Sequence, residues 1–153
     1  MSTIEELRKI RIEKLKKLQD AGILAYPAKT NRTHSIAEAL KNFSKLAKTK
    51  KRIVLTGRIM AQRGHGGATF LDIDDGSTDN NPSTRSGPTG IQVLIKEDKL
   101  GEKGYKFFTD HFDIGDFIEV SGILLVTKRG EQTIEAEDYK MLSKALLPLP
   151  EKW

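Results

Sequence analysis

The stretch QRGHGGATFLDIDD, residues 62–75, joins a glycine-rich turn to the start of an alternating run. If ATFLDID is a β-strand, Leu71 and Ile73 point to one face while Phe70 and the aspartates point to the other. Leu71 and Ile73 then belong to the core, and Phe70 is a large aromatic side chain on the polar face. The stretch therefore predicts a β-hairpin whose second strand carries an outward-facing ring.

The glycines do not fit a phosphate-binding loop. Such a loop needs a lysine and a hydroxyl residue after its last glycine, followed by a helix, whereas here Ala68 and a predicted strand follow Gly67. His65 has no second histidine or acid at ligand spacing, so a metal role is not expected. A tight turn that leaves room beside Phe70 is the remaining interpretation.

The same alternation applies to the neighbouring predicted strands, RIVLTGRIMAQ and GIQVLIKED. It directs Arg58 and Gln92 outward, so adjacent strands present a ring, an amide and a guanidinium on one surface. Nucleic acid bases stack on such rings for about 1–3 kcal/mol each, and amides or guanidinium groups read base edges. The alternative is that the N-terminal helices cover Phe70, and alternation favours neither.

The order of elements predicts the fold class, which is mainly β with helices. Three strands from Lys51, a helix over EKGYKFFTDHF, and a hairpin turning at Arg129-Gly130 give β-β-β-α-β-β, the order of a five-stranded OB-fold barrel. The segment Gly76–Gly90 is too polar to pack and is expected to be a mobile loop.

The chain before the barrel predicts helices and a basic cluster. Residues 2–21 have helical periodicity, with Ser2 and Glu5 at capping-box spacing, and Ser35 with Glu38 repeats that spacing before a second helix. The segment KNFSKLAKTKKR, residues 41–52, holds six basic residues and no acidic one. The candidates for phosphate contact within it are Lys48, Lys50, Lys51 and Arg52.

Composition narrows the function classes. The 153 residues carry a net charge of +5, which favours a polyanionic partner, and contain no cysteine, which excludes disulfides and thiolate zinc sites. No apolar run is long enough for a membrane span, and the N-terminus lacks a secretory h-region. A cytoplasmic protein that binds no metal and no membrane is expected.

Several segments together resemble one family. They are THSIAEAL (33–40), IVLTGRIMAQRGHGGATFLDI (53–73), DIGDFIEVSGILLVTKRGEQTI (113–134) and KALLPLPEKW (144–153). They are similar to the N-terminal anticodon-binding domain of bacterial-type lysyl-tRNA synthetases, which are class II enzymes. The resemblance covers nearly the whole chain.

The resemblance implies a role for four residues. Phe70 would stack on the middle anticodon base, a uridine in lysine anticodons, and Gln92 would hydrogen-bond the edge of that base. Arg63 would contact the same base or its neighbour, and Glu131 would approach the first or third base. Arg63 and Glu131 are expected in loops at strand ends, where alternation predicts nothing, and Arg58 is an additional anticodon-binding candidate.

The resemblance also implies a domain organisation, both within the chain and beyond it. Residues 1–50 would be a helical extension and linker, residues 51–144 the OB-fold domain, and residues 145–153 the start of a linker to a catalytic domain. No catalytic constellation is visible in the sequence, so ATP and magnesium are expected to act in that other domain. The partner implied is the anticodon stem-loop of tRNA(Lys), and the full-length protein would be a homodimeric ligase.

Two other functions stay open. A free-standing OB-fold protein would bind single-stranded nucleic acid without sequence preference. A protein-interaction domain would use the outer face of the barrel to dock another subunit. An enzyme in its own right is the weakest alternative, because no nucleophile–base pair or carboxylate cluster is present.

Overall fold

A computed structural model describes residues 3–20, 31–78 and 90–145. No helix in these ranges is long and apolar enough to span a membrane. In chain order the elements are α1 (Ile4–Asp20), α2 (Ile36–Lys41), α3 (Phe43–Thr49), β1 (Ile53–His65), β2 (Ala68–Asp74), β3 (Ile91–Lys96), α4 (Glu97–His111), β4 (Phe117–Val126) and β5 (Gln132–Ser143).

The five strands close into a barrel in the order β1-β2-β3-β5-β4. Neighbouring strands are antiparallel except β3 and β5, which run parallel. The helix α4 connects β3 to β4 and packs against β3 and β5. The predicted mainly β fold, a five-stranded OB barrel preceded by helices, is confirmed.

Alternation along the strands fills the barrel interior. Leu71 and Ile73 of β2 are both fully buried, as predicted. The core continues with the inward residues of the other strands and with aromatic rings at the end of α4, where Phe108 stacks at 4.6 Å on Phe112, the residue after the helix. Burial of each such aliphatic side chain contributes about 1.5–3 kcal/mol.

The glycine-rich stretch forms the predicted hairpin turn. β1 continues to His65, which pairs with Ala68 at the start of β2. Gly66 and Gly67 lie between them with φ of 49° and 82°, and two consecutive residues of positive φ suit the right-handed twist of a two-residue hairpin. The carbonyl of Gly67 also accepts a hydrogen bond from the Glu97 backbone amide at the start of α4.

A second glycine is required where β4 bends. The pairing of β4 with β5 shifts register between Ser121 and Gly122. A Cβ atom at Gly122 would lie 1.9 Å from the Glu135 carbonyl oxygen on β5, far inside van der Waals contact. The close approach of these two strands therefore excludes any side chain at this position.

Substitution of this glycine tests the strand contact. We expect Gly122→Ala to lower the melting temperature by about 6–12 °C, because relieving the clash costs about 3 kcal/mol in a chain of this size. Gly64→Ala is the matched control, since its nearest neighbour would be Thr69 Oγ1 at 3.9 Å. Equal melting temperatures for the two variants, measured by circular dichroism, would contradict the close packing of β4 on β5.

The helix α1 begins one residue later than the sequence predicts. Thr3 Oγ1 accepts from the Glu6 backbone amide at 3.1 Å, and Glu6 Oε2 accepts from the Thr3 amide at 3.4 Å. The capping pair is therefore Thr3 and Glu6, whereas Ser2 lies outside the described residues. α1 packs against α4, and its only fully buried residue among those described is Leu18.

A cluster of charges connects α1 to the end of β5. Lys144 is buried and its Nζ lies 2.6 Å from Asp113 Oδ2 and 2.7 Å from Asp116 Oδ2. Lys14 of α1 donates to the other oxygen of Asp113 at 2.8 Å. Burial by itself raises the pKa of Asp113, but the two ammonium groups outweigh it and hold that pKa below its usual value. The cluster thus fixes α1 against the loop before β4.

The predicted capping box of α2 is present, with Ser35 and Glu38 exchanging hydrogen bonds. Two further acceptors come from the segment after β2. Asp75 Oδ2 accepts from the Ile36 amide at 3.0 Å, and Ser77 Oγ accepts from the Ala37 amide at 2.9 Å. Asp75 therefore satisfies a free amide at a helix N-terminus and is more than a solvated charge at the end of β2. Residues 79–89 of the polar segment lie outside the described residues.

The charge of Asp75 makes this contact dependent on pH. Partial burial raises its pKa, but hydrogen bonds from Ser77 and the Ile36 amide outweigh that effect and lower the pKa overall. A lowered folded-state pKa stabilises the fold above the ordinary value and loses this contribution as pH falls through the folded pKa. We expect Asp75→Asn to lower the free energy of unfolding by about 1 kcal/mol at pH 7, with the deficit shrinking below about pH 4.

Urea unfolding of wild type and Asp75→Asn between pH 7 and pH 2.5 measures this difference. Asp110→Asn, at an exposed position on α4, is the control for removing one carboxylate. A deficit for Asp75→Asn that stays constant down to the lowest pH would contradict the role of the charge.

Candidate nucleic-acid interface

The register of three strands brings candidate residues into one row across the outer face. Arg63 on β1 pairs with Phe70 on β2, and Phe70 pairs with Leu94 on β3. Directly paired residues carry their side chains on the same face of a sheet, about 5 Å apart. Arg63 and Phe70 are therefore side-by-side neighbours. The row ends at Glu135 on β5, the partner of Leu94.

The position of Arg63 corrects the sequence-based expectation of a loop, because the residue lies inside β1. Pairing with β2 continues to His65, and a β-bulge between Ile59 and Ala61 sets the face to which Arg63 points. Ile59 pairs with Ile73 and Ala61 with Asp72, so Met60 is an extra residue on β1. The extra residue reverses the facing of every later position, and Arg63 turns outward although Ile59, four residues earlier, faces the core.

Phe70 keeps part of its ring accessible. It is half-buried and does not belong to the hydrophobic core cluster. The ring contacts of the described residues lie elsewhere, in α4, Tyr139 and the Arg58–Phe117 pair. α1 packs against α4, and α3 packs against β4. The ring is thus an available stacking surface within the described part of the chain.

Gln92 lies in the next row of the same face. It pairs with Asp72 on β2 and with Thr133 on β5, two residues along from the row of Phe70. Diagonal neighbours of this kind lie about 7–8 Å apart, within reach of one base. The sequence predicts that Gln92 faces outward, and it does so in the pairing, but only 7% of its surface is exposed.

Two hydrogen bonds satisfy the buried amide of Gln92. Gln92 Nε2 donates to Glu131 Oε2 at 3.3 Å, and Gln92 Oε1 accepts from Thr133 Oγ1 at 2.8 Å. Glu131 lies in the turn between β4 and β5, as predicted, and its backbone exchanges hydrogen bonds with Thr127. The turn therefore brings a carboxylate to the edge of the amide.

Arg63 has one anionic neighbour, Asp72, with Nη1 3.3 Å from Oδ2. Just over half of the Arg63 side chain remains exposed, and a pair this accessible is worth at most about 1 kcal/mol. The guanidinium can therefore exchange Asp72 for a ligand at little energetic cost.

Arg58 does not join this group. It pairs with Asp74, four residues from Phe70 along β2, which corresponds to about 14 Å. Its guanidinium lies 5.2 Å from the centre of the Phe117 ring on β4, and its Nε donates to the Gly115 carbonyl at 3.4 Å. Arg58 is thus engaged in contacts within the protein, on the far side of the bulge.

The phosphate candidates lie at the opposite end of β1 from Arg63. Eleven residues separate Arg52 from Arg63, or about 35 Å along the strand. The four candidates Lys48, Lys50, Lys51 and Arg52 are all exposed. Lys50 ends α3 with φ of 52°, and Arg52 Nη2 donates to Ser121 Oγ at 2.9 Å.

Three residues beside the site are not among the predicted site residues. Thr133 is buried against Gln92, and Leu94 is buried between Phe70 and Glu135. Lys99 of α4 lies 3.5 Å from Glu135. The sequence does place Thr133 two residues after the predicted site residue Glu131. The pairing of Thr133 with Gln92 on β3, however, depends on how the barrel closes.

Within residues 3–20, 31–78 and 90–145, no group of three or more histidine, aspartate or glutamate side chains is arranged to hold a metal ion. His111 Nδ1 lies 2.9 Å from the Phe107 carbonyl, and its ring lies over Phe107.

Comparison with known proteins also indicates a nucleic-acid-binding domain. Residues 53–142 match the family model tRNA_anti-codon, described as an OB-fold nucleic acid binding domain. Lysine--tRNA ligase of Carboxydothermus hydrogenoformans is 42% identical over 150 residues, and that of Pelotomaculum thermopropionicum is 40% identical over 150 residues. Lysine--tRNA ligase of Fervidobacterium nodosum is 35% identical over 153 residues.

These alignments cover 98% of this chain. The chain spans only 27–28% of the length of those relatives. The similarity therefore concerns one portion of a much longer protein.

Proposed function

Because the chain belongs to the tRNA_anti-codon family of OB-fold nucleic acid binding domains and is homologous to the N-terminal region of lysine--tRNA ligases, we propose that its outer face recognises the bases of a lysine anticodon. The resemblance found in the sequence is confirmed at the level of fold and family. The proposal concerns which residues contact which bases.

The adjacency of Arg63, Phe70 and Gln92 on one outer face carries the proposal. The half-buried ring of Phe70 offers one face for the middle uridine of the anticodon, and stacking contributes about 1–3 kcal/mol per base. Arg63 and Gln92 lie on either side of that ring and can donate hydrogen bonds to the edge of the stacked base. Glu131, at the edge of Gln92, is the residue for the first or third base.

The basic residues Lys48, Lys50, Lys51 and Arg52 support binding in a different way. They lie about 35 Å along β1 from the base site, so one nucleotide cannot contact both. A stem-loop can contact both sites if its loop bases reach Phe70 while its backbone extends toward α3. In this arrangement base contacts provide specificity and phosphate contacts provide affinity that depends on salt.

The remainder of the function belongs to the longer protein. The full-length protein would be a cytoplasmic lysine--tRNA ligase, a homodimer that attaches lysine to tRNA(Lys) with ATP and magnesium. The cofactors would act in a catalytic domain outside the present chain. Residues 1–50 would form the helical extension, 51–144 the anticodon-binding domain and 145–153 the start of the linker.

Phe70→Ala tests the stacking contact. We expect the wild-type chain to bind an RNA hairpin with the loop sequence UUU more tightly than one with UCU. Phe70→Ala should weaken binding of the UUU hairpin by about 5- to 150-fold, because the stacking energy is lost. Fluorescence anisotropy titration of both hairpins at fixed salt measures the two affinities.

Phe117→Ala is the matched control, since Phe117 is an aromatic residue of β4 that is 40% exposed and lies away from the base site. We expect this variant to bind both hairpins as the wild type does. Equal, strongly salt-dependent binding of the two hairpins by wild type and Phe70→Ala alike would identify an OB domain without sequence preference.

The phosphate contacts predict a separate signature. Lys48→Gln combined with Lys51→Gln should reduce the slope of log affinity against log salt by about 1.5–2, while the preference for UUU over UCU stays unchanged. The control variant replaces Lys103 and Lys106, two exposed lysines of α4, by glutamine. A loss of base preference in the Lys48/Lys51 variant, or an equal change of slope in the control, would contradict the separation of the two roles.

A further inference from the structure

The side-chain amide of Gln92 is held at both ends. Its Nε2 lies 3.3 Å from Glu131 Oε2, and its Oε1 lies 2.8 Å from Thr133 Oγ1. Gln92 is 7% exposed and Thr133 is fully buried, so water does not replace these contacts freely. The amide therefore has one preferred orientation in the free protein.

Chemistry decides which orientation this is. An ionised carboxylate only accepts hydrogen bonds, so the amide nitrogen and not the oxygen must face Glu131. The hydroxyl of Thr133 has one proton and two candidate acceptors, Gln92 Oε1 at 2.8 Å and the Glu131 carbonyl at 3.2 Å. With the amide nitrogen facing Glu131, Gln92 Oε1 can only accept, and it lies closer to the hydroxyl than the carbonyl does, so the hydroxyl proton goes to Gln92.

Glu131 and Thr133 differ in how firmly they are held. Glu131 is exposed in the turn between β4 and β5, so a bound nucleotide can draw its carboxylate away from Gln92. Thr133 pairs with Gln92 across β3 and β5 and is fully buried, so its hydroxyl is held beside the amide more firmly than the exposed carboxylate is. Once a ligand occupies the site, Thr133 is the contact that still fixes the amide.

We propose that Thr133 is a positioning residue that determines base specificity: its buried hydroxyl holds the carbonyl end of Gln92 and thereby presents the NH2 end to the base. The proposal rests on the proposed function of the outer face as an anticodon-base site.

The consequence is a fixed hydrogen-bond donor beside the ring of Phe70. Among the described residues Glu131 is the one acceptor of Nε2, so the second proton of the NH2 group is available to a ligand. A uracil edge offers carbonyl acceptors on both sides of N3, whereas the 4-position of cytosine carries an amino group that cannot accept. A donor fixed toward position 4 thus favours uracil over cytosine, whereas an amide free to rotate can present its oxygen to the cytosine amino group.

Three versions of position 133 test this role. Thr133→Val keeps the shape and the strand propensity of the side chain but removes the hydroxyl, while Thr133→Ser keeps the hydroxyl. We expect the ratio of affinities for the UUU and UCU hairpins to fall at least about 5-fold in Thr133→Val and to stay within about 2-fold of wild type in Thr133→Ser. Both variants should keep the salt slope of wild type, since no phosphate contact is changed.

A measurement without RNA keeps the test independent of hairpin binding and of the folding of Thr133→Val. In wild-type protein, the side-chain NH2 protons of Gln92 should show nuclear Overhauser contacts to Glu131 rather than to the Thr133 methyl group. Contacts to the Thr133 methyl group alone would overturn the proposed orientation.

The outcomes separate the two proposals. A wild-type preference for UUU that Thr133→Val retains in full would overturn the role of Thr133 and leave the anticodon site intact. A wild-type chain with no preference, despite the expected contacts of Gln92 to Glu131, would overturn the anticodon site and with it the specificity assigned to Thr133.

Discussion

The parallel pairing of β3 with β5 is the constraint on which both the barrel and its outer face depend. Gln92, Val93 and Leu94 pair with Thr133, Ile134 and Glu135, and this short ladder is the only parallel contact among the described strands. It closes the sheet, so that Val93 and Ile134 meet in the core. The same ladder brings Thr133 beside Gln92, and the turn before β5 brings Glu131 to the other end of that amide. Without this closure the polar part of the base site would not exist, because its members come from positions about 40 residues apart in the sequence.

Two irregularities adapt the strands to this closure. The bulge at Met60 lets β1 serve the core with Ile59 and the outer face with Arg63. The bend at Gly122 lets β4 approach β5 closely enough that no side chain fits between Gly122 and the Glu135 carbonyl. Bulges increase local twist and redirect side chains, which is why they occur at barrel rims and beside functional surfaces. Here one bulge supplies a guanidinium to the site, and the other permits the strand contact that supports β5 behind it.

Nucleic-acid binding needs both discrimination among bases and attraction of the phosphate backbone, and different charged residues serve the two needs. The base site holds one exposed guanidinium, already paired with Asp72, and a carboxylate in Glu131. A group of this composition discriminates among bases better than it attracts a polyanion. The attraction comes from the exposed basic residues of α3 and the start of β1, at the far end of the same strand. The ion cluster of Lys14, Asp113, Asp116 and Lys144 is a third and separate use of charge, because it holds α1 to the barrel and is largely buried.

Local patterning in the sequence was sufficient for the order of strands and helices along the chain, the hairpin at Gly66-Gly67 and the capping box at Ser35. It was also sufficient for the inward set of Leu71 and Ile73 and the outward facing of Phe70. Each of these depends on residues close together in the chain. Family resemblance added Glu131 and the interpretation of the face as an anticodon site. The placement of Arg63 on a strand was missed, because the predicted strand ended at Gln62, one residue short. Its outward facing could not be predicted either, because the extra residue at Met60 reverses alternation and leaves no mark in the pattern of hydrophobic residues. The role of Asp75 at the start of α2, the pairing of Thr133 with Gln92 and the withdrawal of Arg58 onto Phe117 follow from contacts between distant segments. Such contacts are set by how the barrel closes and how the helices pack on it, and the side-chain period of a single strand carries no information about either.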